Sequence, residues 1–151
     1  MTIVIESPDQ PDVRSLIAQL DRHQSALYPA TSNHLLDIDS LMQSNVVFAV
    51  ARDRDGVAHG CGAVVLNLEY GEIKRMFVRP ELRGRGIAGA LLEFLEAQAH
   101  DQGCEVLMLE TGIHQPEALA LYRRFGYAQR PPFNGYSEDP LSIFMQKRLD
   151  Q

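Results

Sequence analysis

The sequence predicts a mixed α/β domain, an antiparallel meander joined to a βαβ half in one mixed sheet. Three observations predict it. Three apolar, β-rich runs follow one another between Val46 and Val78 with short joins, the pattern of successive hairpins. After Pro80 the period becomes helical and then returns to a strand at Glu105, and a strand–helix–strand order implies a right-handed crossover between parallel strands. The chain has 151 residues, 45% hydrophobic and 23% charged. That length and composition suit one domain spanning 1–151, large enough to bury a core of its own.

Thr2 to Glu6 alternates and is β-branched, so it reads as the first strand. Pro8 and Pro11 break it, and Pro11 is well placed to open a helix. Val13, Leu16, Ile17, Leu20 and Leu27 then keep helical spacing. Tyr28 to Asn33 is a loop, and His34 to Ser44 is expected to hold a short helix with Leu36, Leu41 and Met42 facing inward. Val46–Ala51, Cys61–Leu68 and Glu72–Val78 are the meander strands. Ile87, Leu91, Leu92, Phe94, Leu95 and Ala99 share one helix face, and Gly103 ends that helix. Glu105–Leu109 is the next strand. Pro116 opens another helix, with Ala118, Leu121, Tyr122 and Phe125 along one face and Gly126 after its end. Residues 130–140 form a turn-rich loop, and Leu141–Leu149 is a closing strand.

Composition excludes several classes. Twenty Asp plus Glu against fourteen Lys plus Arg give a net charge of −6, the wrong sign for a general nucleic-acid or anionic-membrane binder. No apolar run approaches the ~20 residues of a membrane span, and the first ten residues do not resemble a signal peptide. A cytoplasmic protein is expected. Cys61 and Cys104 have no metal or redox spacing, nor any local signature of a nucleophile; no metal site is expected.

The basic residues are unevenly placed. Lys74, Arg75, Arg79, Arg83 and Arg85 lie within twelve positions that hold one acid, Glu81. That span contains Gly84, with Gly86 and Gly89 just beyond, at a strand-to-helix junction. Glycines let backbone approach a ligand. A helix N-terminus offers unpaired N–H groups and the positive end of its dipole, so a phosphate is the natural guest. Gly84-x-Gly86-x-x-Gly89 also satisfies the dinucleotide fingerprint. The intervening Arg79–Arg83 and the preceding meander speak against that use, and no Lys-Ser or Lys-Thr follows for a P-loop.

The same residues resemble motif A of the GNAT superfamily of acyl-CoA-dependent N-acetyltransferases, Gln/Arg-x-x-Gly-x-Gly/Ala, here Arg83-Gly84-Arg85-Gly86-Ile87-Ala88. Val78-Arg79-Pro80-Glu81-Leu82 resembles its lead. Pro116-Glu117-Ala118, Leu121-Tyr122 and Phe125-Gly126-Tyr127 resemble the family's later Asn-Pro-x-Ala-x-x-Leu-Tyr-x-x-x-Gly-Phe helix. Order and spacing agree from Glu72 to Tyr127. The resemblance implies the GNAT acyl-CoA N-acyltransferase fold, with splayed central strands, and acetyl-CoA as cosubstrate. Backbone N–H groups of Arg85 to Ala88 are implied to hold the pyrophosphate, beside Arg83 and Arg85. Met76, Phe77 and Val78 are implied to pair with the pantetheine arm, with the Phe77 N–H as oxyanion donor. Gln115 stands where the family has Asn. Tyr122 matches the general acid for the departing thiolate; periodicity alone makes it a core aromatic.

A primary amine is mostly cationic at pH 7 and must lose a proton. Glu72 and Glu110 are the candidate bases, with His34 and His114 as auxiliaries; ordinary strand-end carboxylates are the alternative. Segments 27–41 and 131–140 are implied to wall the acceptor pocket. They supply Tyr28, His34, Asp37, Asp39, Phe133, Asn134, Tyr136, Glu138 and Asp139, suited to a small cationic amine. The activity implied is acetyl transfer to a primary amine in a ternary complex. The alternative is a non-catalytic acyl-CoA-binding regulator. Edge strands and the closing strand offer surfaces for a homodimer.

Overall fold

Strands that read as unbroken apolar runs are those covered on both faces. In β2 (Val46–Arg52), Val47, Ala49 and Ala51 face one layer while Phe48 and Val50 face the other, and all five are buried. The computed structural model describes residues 1–30 and 37–149. Among them, β1 (Thr2–Ile5), β2, β3 (Ala58–Leu66), β4 (Gly71–Val78), β5 (Val106–Gly112), β6 (Ala128–Arg130) and β7 (Ser142–Arg148) form a seven-stranded sheet. Its order is β1-β2-β3-β4-β5-β7-β6. β1 to β4 are an antiparallel meander, β4 and β5 are parallel, and β7 lies antiparallel between β5 and β6. No helix of the described residues is long and apolar enough to cross a membrane.

The expected mixed sheet and its two halves are therefore present. β5 runs three residues beyond the expected Leu109, because Glu110, Thr111 and Gly112 continue the ladder onto Phe144, Ile143 and Ser142. The three-residue β6 escapes a reading based on period, being too short to show one. The closing strand is not an edge, since both of its sides are paired; the edges are β1 and β6. The second helix, α2, is shorter than expected (Ile38–Leu41): Leu41 is buried, Met42 is half exposed, and Leu36 and His34 lie outside the described residues.

One face of the sheet carries α3 (Ile87–Asp101) and α4 (Pro116–Arg124), whose Leu91, Leu92, Leu95 and Tyr122 pack on Val64, Ile73 and Leu109. The other face carries α1 (Pro11–Leu27) and α2, whose Val13, Leu16 and Leu41 pack on Phe48, Cys61 and Phe77. Arg52 ties α1 to the edge of the sheet, donating to Glu6 at 2.8 Å and Asp12 at 2.6 Å.

β4 changes face part-way along. Ile73 packs under α3, whereas Phe77 packs under α1, although both are odd-numbered. The register supplies the reason: Cys61 opposes Phe77 but Ala63 opposes Lys74, so Arg75 and Met76 together oppose Gly62. This is a β-bulge, with Arg75 at φ 60°. Strict alternation would have put the Arg75 charge in the α3 core beside Ile73. The bulge turns it to the α1 side, where it meets Asp21 of α1 at 2.5 Å.

α1 ends on β5. The Tyr28 hydroxyl lies against Gly112, donates to Gln115 Oε1 at 3.2 Å and accepts from the His114 N–H at 3.1 Å. A side chain at Gly112 would overlap the phenol. Gly112→Ala is expected to destabilise the fold by about 1–3 kcal/mol, the usual range for overpacking, read as a lower denaturant midpoint with an unchanged m-value.

Candidate active site

Parallel pairing of β4 with β5 covers only Gly71–Leu107, Glu72–Met108 and Ile73–Leu109. Beyond that point β4 stays with β3 as far as Val78, and β5 stays with β7 as far as Gly112. The two strands part, as the resemblance implies. The bulge at Arg75–Met76 lies just past the last shared pair, where the extra twist of a bulge turns β4 away. The opening is a cleft of about 830 Å³.

At one end of the cleft is the start of α3. Gly86 is its N-cap at φ 82°, Gly84 has φ 80°, and no side chain caps the helix. The first helical bond is Ala90 N–H to Gly86, so the N–H groups of Ile87, Ala88 and Gly89 have no helical partner. No acidic residue lies in the first turn, leaving the positive end of the dipole uncompensated. Arg83, Gly84, Gly86, Ile87 and Ala88 line the cleft; Arg85 is exposed and does not. Gly89 lines it too and also serves packing, for a Cβ there would press on the Phe125 ring of α4.

Two residues of the basic cluster do other work. Arg75 is spent on Asp21. Lys74 stands 3.4 Å from Glu72 and 5.3 Å over the Tyr136 ring. Both nevertheless line the cleft, together with Met76, Phe77 and Val78.

Tyr122 lines the cleft from α4 and is 6% exposed. Among the described residues its hydroxyl has no hydrogen-bond partner. Burial pushes its pKa well up, so the hydroxyl keeps its proton at neutral pH. Core packing and cleft lining are both true of it.

At the other end stand two carboxylates. Glu72 is 2% exposed, accepts from the Tyr136 hydroxyl at 2.9 Å and is reached by Asn134 at 3.4 Å. Burial raises its pKa above the ordinary carboxylate value, against the pull of Lys74 and the Tyr136 hydrogen bond. Glu110 is half-buried and accepts from Ser142 Oγ at 2.8 Å. The carboxylates expected from the loops are placed otherwise. Asp37 caps α2 through the Ser40 N–H at 2.8 Å, Asp139 accepts from the Leu141 N–H at 2.8 Å, and Asp39 and Glu138 are exposed. Tyr28 and Gln115 line the middle of the cleft beside His114, which stacks on Tyr28 at 5.5 Å.

Sequence reasoning reached only the last residue of the α1 wall, Leu27. Leu20, His23, Gln24 and Leu27 line the cleft. The available signal was that the apolar stripe of α1 turns polar at His23 and Gln24. Burial, then the Arg83 guanidinium, lowers the His23 pKa, so the ring is neutral at pH 7.

Residues 14–127 match the sequence profile of the acetyltransferase (GNAT) family. The chain belongs to the GNAT family. It is an acyltransferase. An IAA acetyltransferase of Azospirillum brasilense is 50% identical over 151 residues, covering 99% of this chain and 98% of its own. A solved Klebsiella pneumoniae structure assigned to the acyl-CoA N-acyltransferases is 41% identical, with a TM-score of 0.83 and coverage of 98% and 97%. A GNAT acetyltransferase of Elizabethkingia anophelis with acetyl-CoA bound shares the fold at 20% identity, TM-score 0.69 and 97% coverage of both chains.

Within this GNAT fold Cys61 is not suited to covalent catalysis. Cys61 is buried, its thiol donates to the Arg75 carbonyl, and burial pushes its pKa up to about 12. At pH 8 a thiol reagent is expected to leave Cys61 unmodified in the native protein and to label it on unfolding, as peptide mapping would show. Rapid native labelling of Cys61 would contradict this.

Proposed function

We propose that the chain transfers an acetyl group from acetyl-CoA to a primary amine, a small molecule, by direct attack in a ternary complex. The observation that carries the reading is one continuous cleft. It has a phosphate-suited helix end at one side, a buried protonated Tyr122 along its wall, and buried Glu72 at the other side. The acetyl-CoA bound by the Elizabethkingia relative and the name of the Azospirillum relative support the cosubstrate and the acetyl chemistry.

The backbone N–H groups at Gly86–Ala88, with Arg83 beside them, would hold the pyrophosphate; the exposed Arg85 adds charge near it. Met76 to Val78 would pair with the pantetheine arm, and Gln115 would bound it. Acetyl-CoA supplies the activated acyl group as a thioester. Glu72 takes a proton from the substrate ammonium, leaving a neutral amine to attack. A backbone N–H of the Met76–Val78 segment that faces away from β3 donates to the oxygen on which negative charge develops. Tyr122 gives its proton to the sulfur as the C–S bond breaks, and regains one from the new amide nitrogen through solvent. The balance is one amide and one thiol formed, with one proton released.

Glu72 is preferred as base because burial raises its proton affinity above that of an ordinary carboxylate, toward working pH. Glu110 supplies a second negative charge near the incoming cation. Two carboxylates at this end suit an amine better than an acidic acceptor.

Tyr122→Phe is expected to lower kcat by about 10²-fold, within the range for general-acid catalysis, while leaving KM for acetyl-CoA within a few-fold. Steady-state kinetics following CoA release with a primary-amine panel checks it. Wild-type turnover would remove Tyr122 from the mechanism. Replacing both Arg83 and Arg85 by Glu is expected to abolish calorimetric binding of CoA; unchanged binding would remove the phosphate cradle.

A further inference from the structure

The carboxylate end of the cleft is fastened to the loop beside it. Tyr136 does not line the cleft, yet its hydroxyl donates to Glu72 Oε2 at 2.9 Å. Lys74 Nζ lies 3.4 Å from the same oxygen, and Asn134 Nδ2 lies 3.4 Å from the other.

The placement of Tyr136 is strongly determined. Asn134 and Gly135 both have positive φ, 53° and 72°, and the Tyr136 N–H returns to the Phe133 carbonyl at 2.9 Å. That is the type I′ turn that Asn-Gly favours. Phe133 then sits edge-on to Tyr70, Tyr136 and Phe144, with centroids 5.4–6.0 Å apart, and Tyr136 stacks on Phe144. The ring packing holds the loop; the hydroxyl is left for Glu72.

We propose that Tyr136 is a positioning residue for the reaction, its hydroxyl fixing the Glu72 carboxylate in the orientation that receives the acceptor's proton. The inference rests on the reading of Glu72 as the base. The charged and titratable groups around Glu72 oppose one another. Burial, Glu110 from β5 and Tyr70 from the β3–β4 turn disfavour its ionised form or share its negative sign, while Lys74 from β4 and the Tyr136 hydroxyl favour it. Asn134 adds a neutral donor. Without the Tyr136 hydroxyl one of the favourable partners is gone, and Glu72 holds its proton to higher pH.

The test compares Tyr136→Phe, which keeps the packed ring, with Glu72→Gln. The Glu72 carboxyl is followed by ¹³C NMR titration, assigned by its loss in Glu72→Gln, and kcat/KM for a primary amine is followed against pH. In Tyr136→Phe both the carboxyl midpoint and the acidic limb of the rate profile are expected to rise by about one pH unit, the scale of one hydrogen bond to a charged group. KM for acetyl-CoA is expected to stay within two-fold. A midpoint and limb that superimpose on wild type overturn the role of Tyr136 while leaving Glu72 as the base. Wild-type activity in Glu72→Gln overturns the base, and the positioning role falls with it. A purely structural tyrosine would lower the thermal midpoint without moving either titration.

Discussion

β4 has to stay paired with β3 along its whole length while keeping the Arg75 charge out of an apolar layer, and most of the molecule follows from how it does so. An ideal strand cannot satisfy both demands, because alternation sends Ile73, Arg75 and Phe77 to one face. One extra residue at Arg75–Met76 reverses the parity, delivers the guanidinium to Asp21 and brings Phe77 beneath α1. The local twist that accompanies a bulge falls where pairing with β5 stops. The opening of the sheet and the docking of α1 are therefore two consequences of one backbone irregularity. The strained φ at Arg75 is held by the ion pair on one side and by the Cys61 thiol on its carbonyl.

The cleft so opened is electrically polarised along its length. Its α3 end is positive through backbone geometry, a helix start with unbonded N–H groups and no acid in its first turn. Its far end is negative through side chains, Glu72 and Glu110, with Lys74 moderating the pair. Coulomb interactions in such a partly desolvated space are several times stronger than in water. An anionic cosubstrate and a cationic acceptor would therefore favour opposite ends. Tyr122 lies along the wall of the same cleft in the protonated form, the state that the proposed proton donor requires.

Most of the architecture was legible in the sequence because it rests on local pattern. The meander follows from three apolar runs, α3 from Ile87–Ala99, and the cradle from Arg83–Ala88. What could not be read depends on contacts distant in sequence. The bulge is set by Gly62 and Asp21 acting on Arg75, and nothing within Glu72–Val78 alone signals it. Asp21 also engages Arg75, while Glu72 and the Tyr136 ring engage Lys74. Asp37 and Asp139 looked like substrate groups because a cap and a ligand-binding carboxylate are alike in composition and differ only in which N–H they face. His23 and Gln24 were hidden in an amphipathic stripe whose last two turns run out over the cleft instead of over the core.

The two ends of the cleft also differ in how freely sequence can vary there. The cradle is built from main-chain groups, so its demands fall on conformation: Gly84 and Gly86 at positive φ, and a helix beginning directly after them. Many side chains satisfy those demands elsewhere along α3. The other end is built from side chains on β4, β5 and the 131–140 loop, each in contact with the next. Glu72 touches Lys74, Asn134 and Tyr136, and Tyr136 in turn stacks on Phe144. A change at any of these alters the charge or the position of the others. Acceptor preference should therefore change through concerted replacement of Glu72, Lys74 and the loop. The α3 end can stay constant meanwhile, because its N–H groups are placed by Gly84, Gly86 and the helix start and not by those residues.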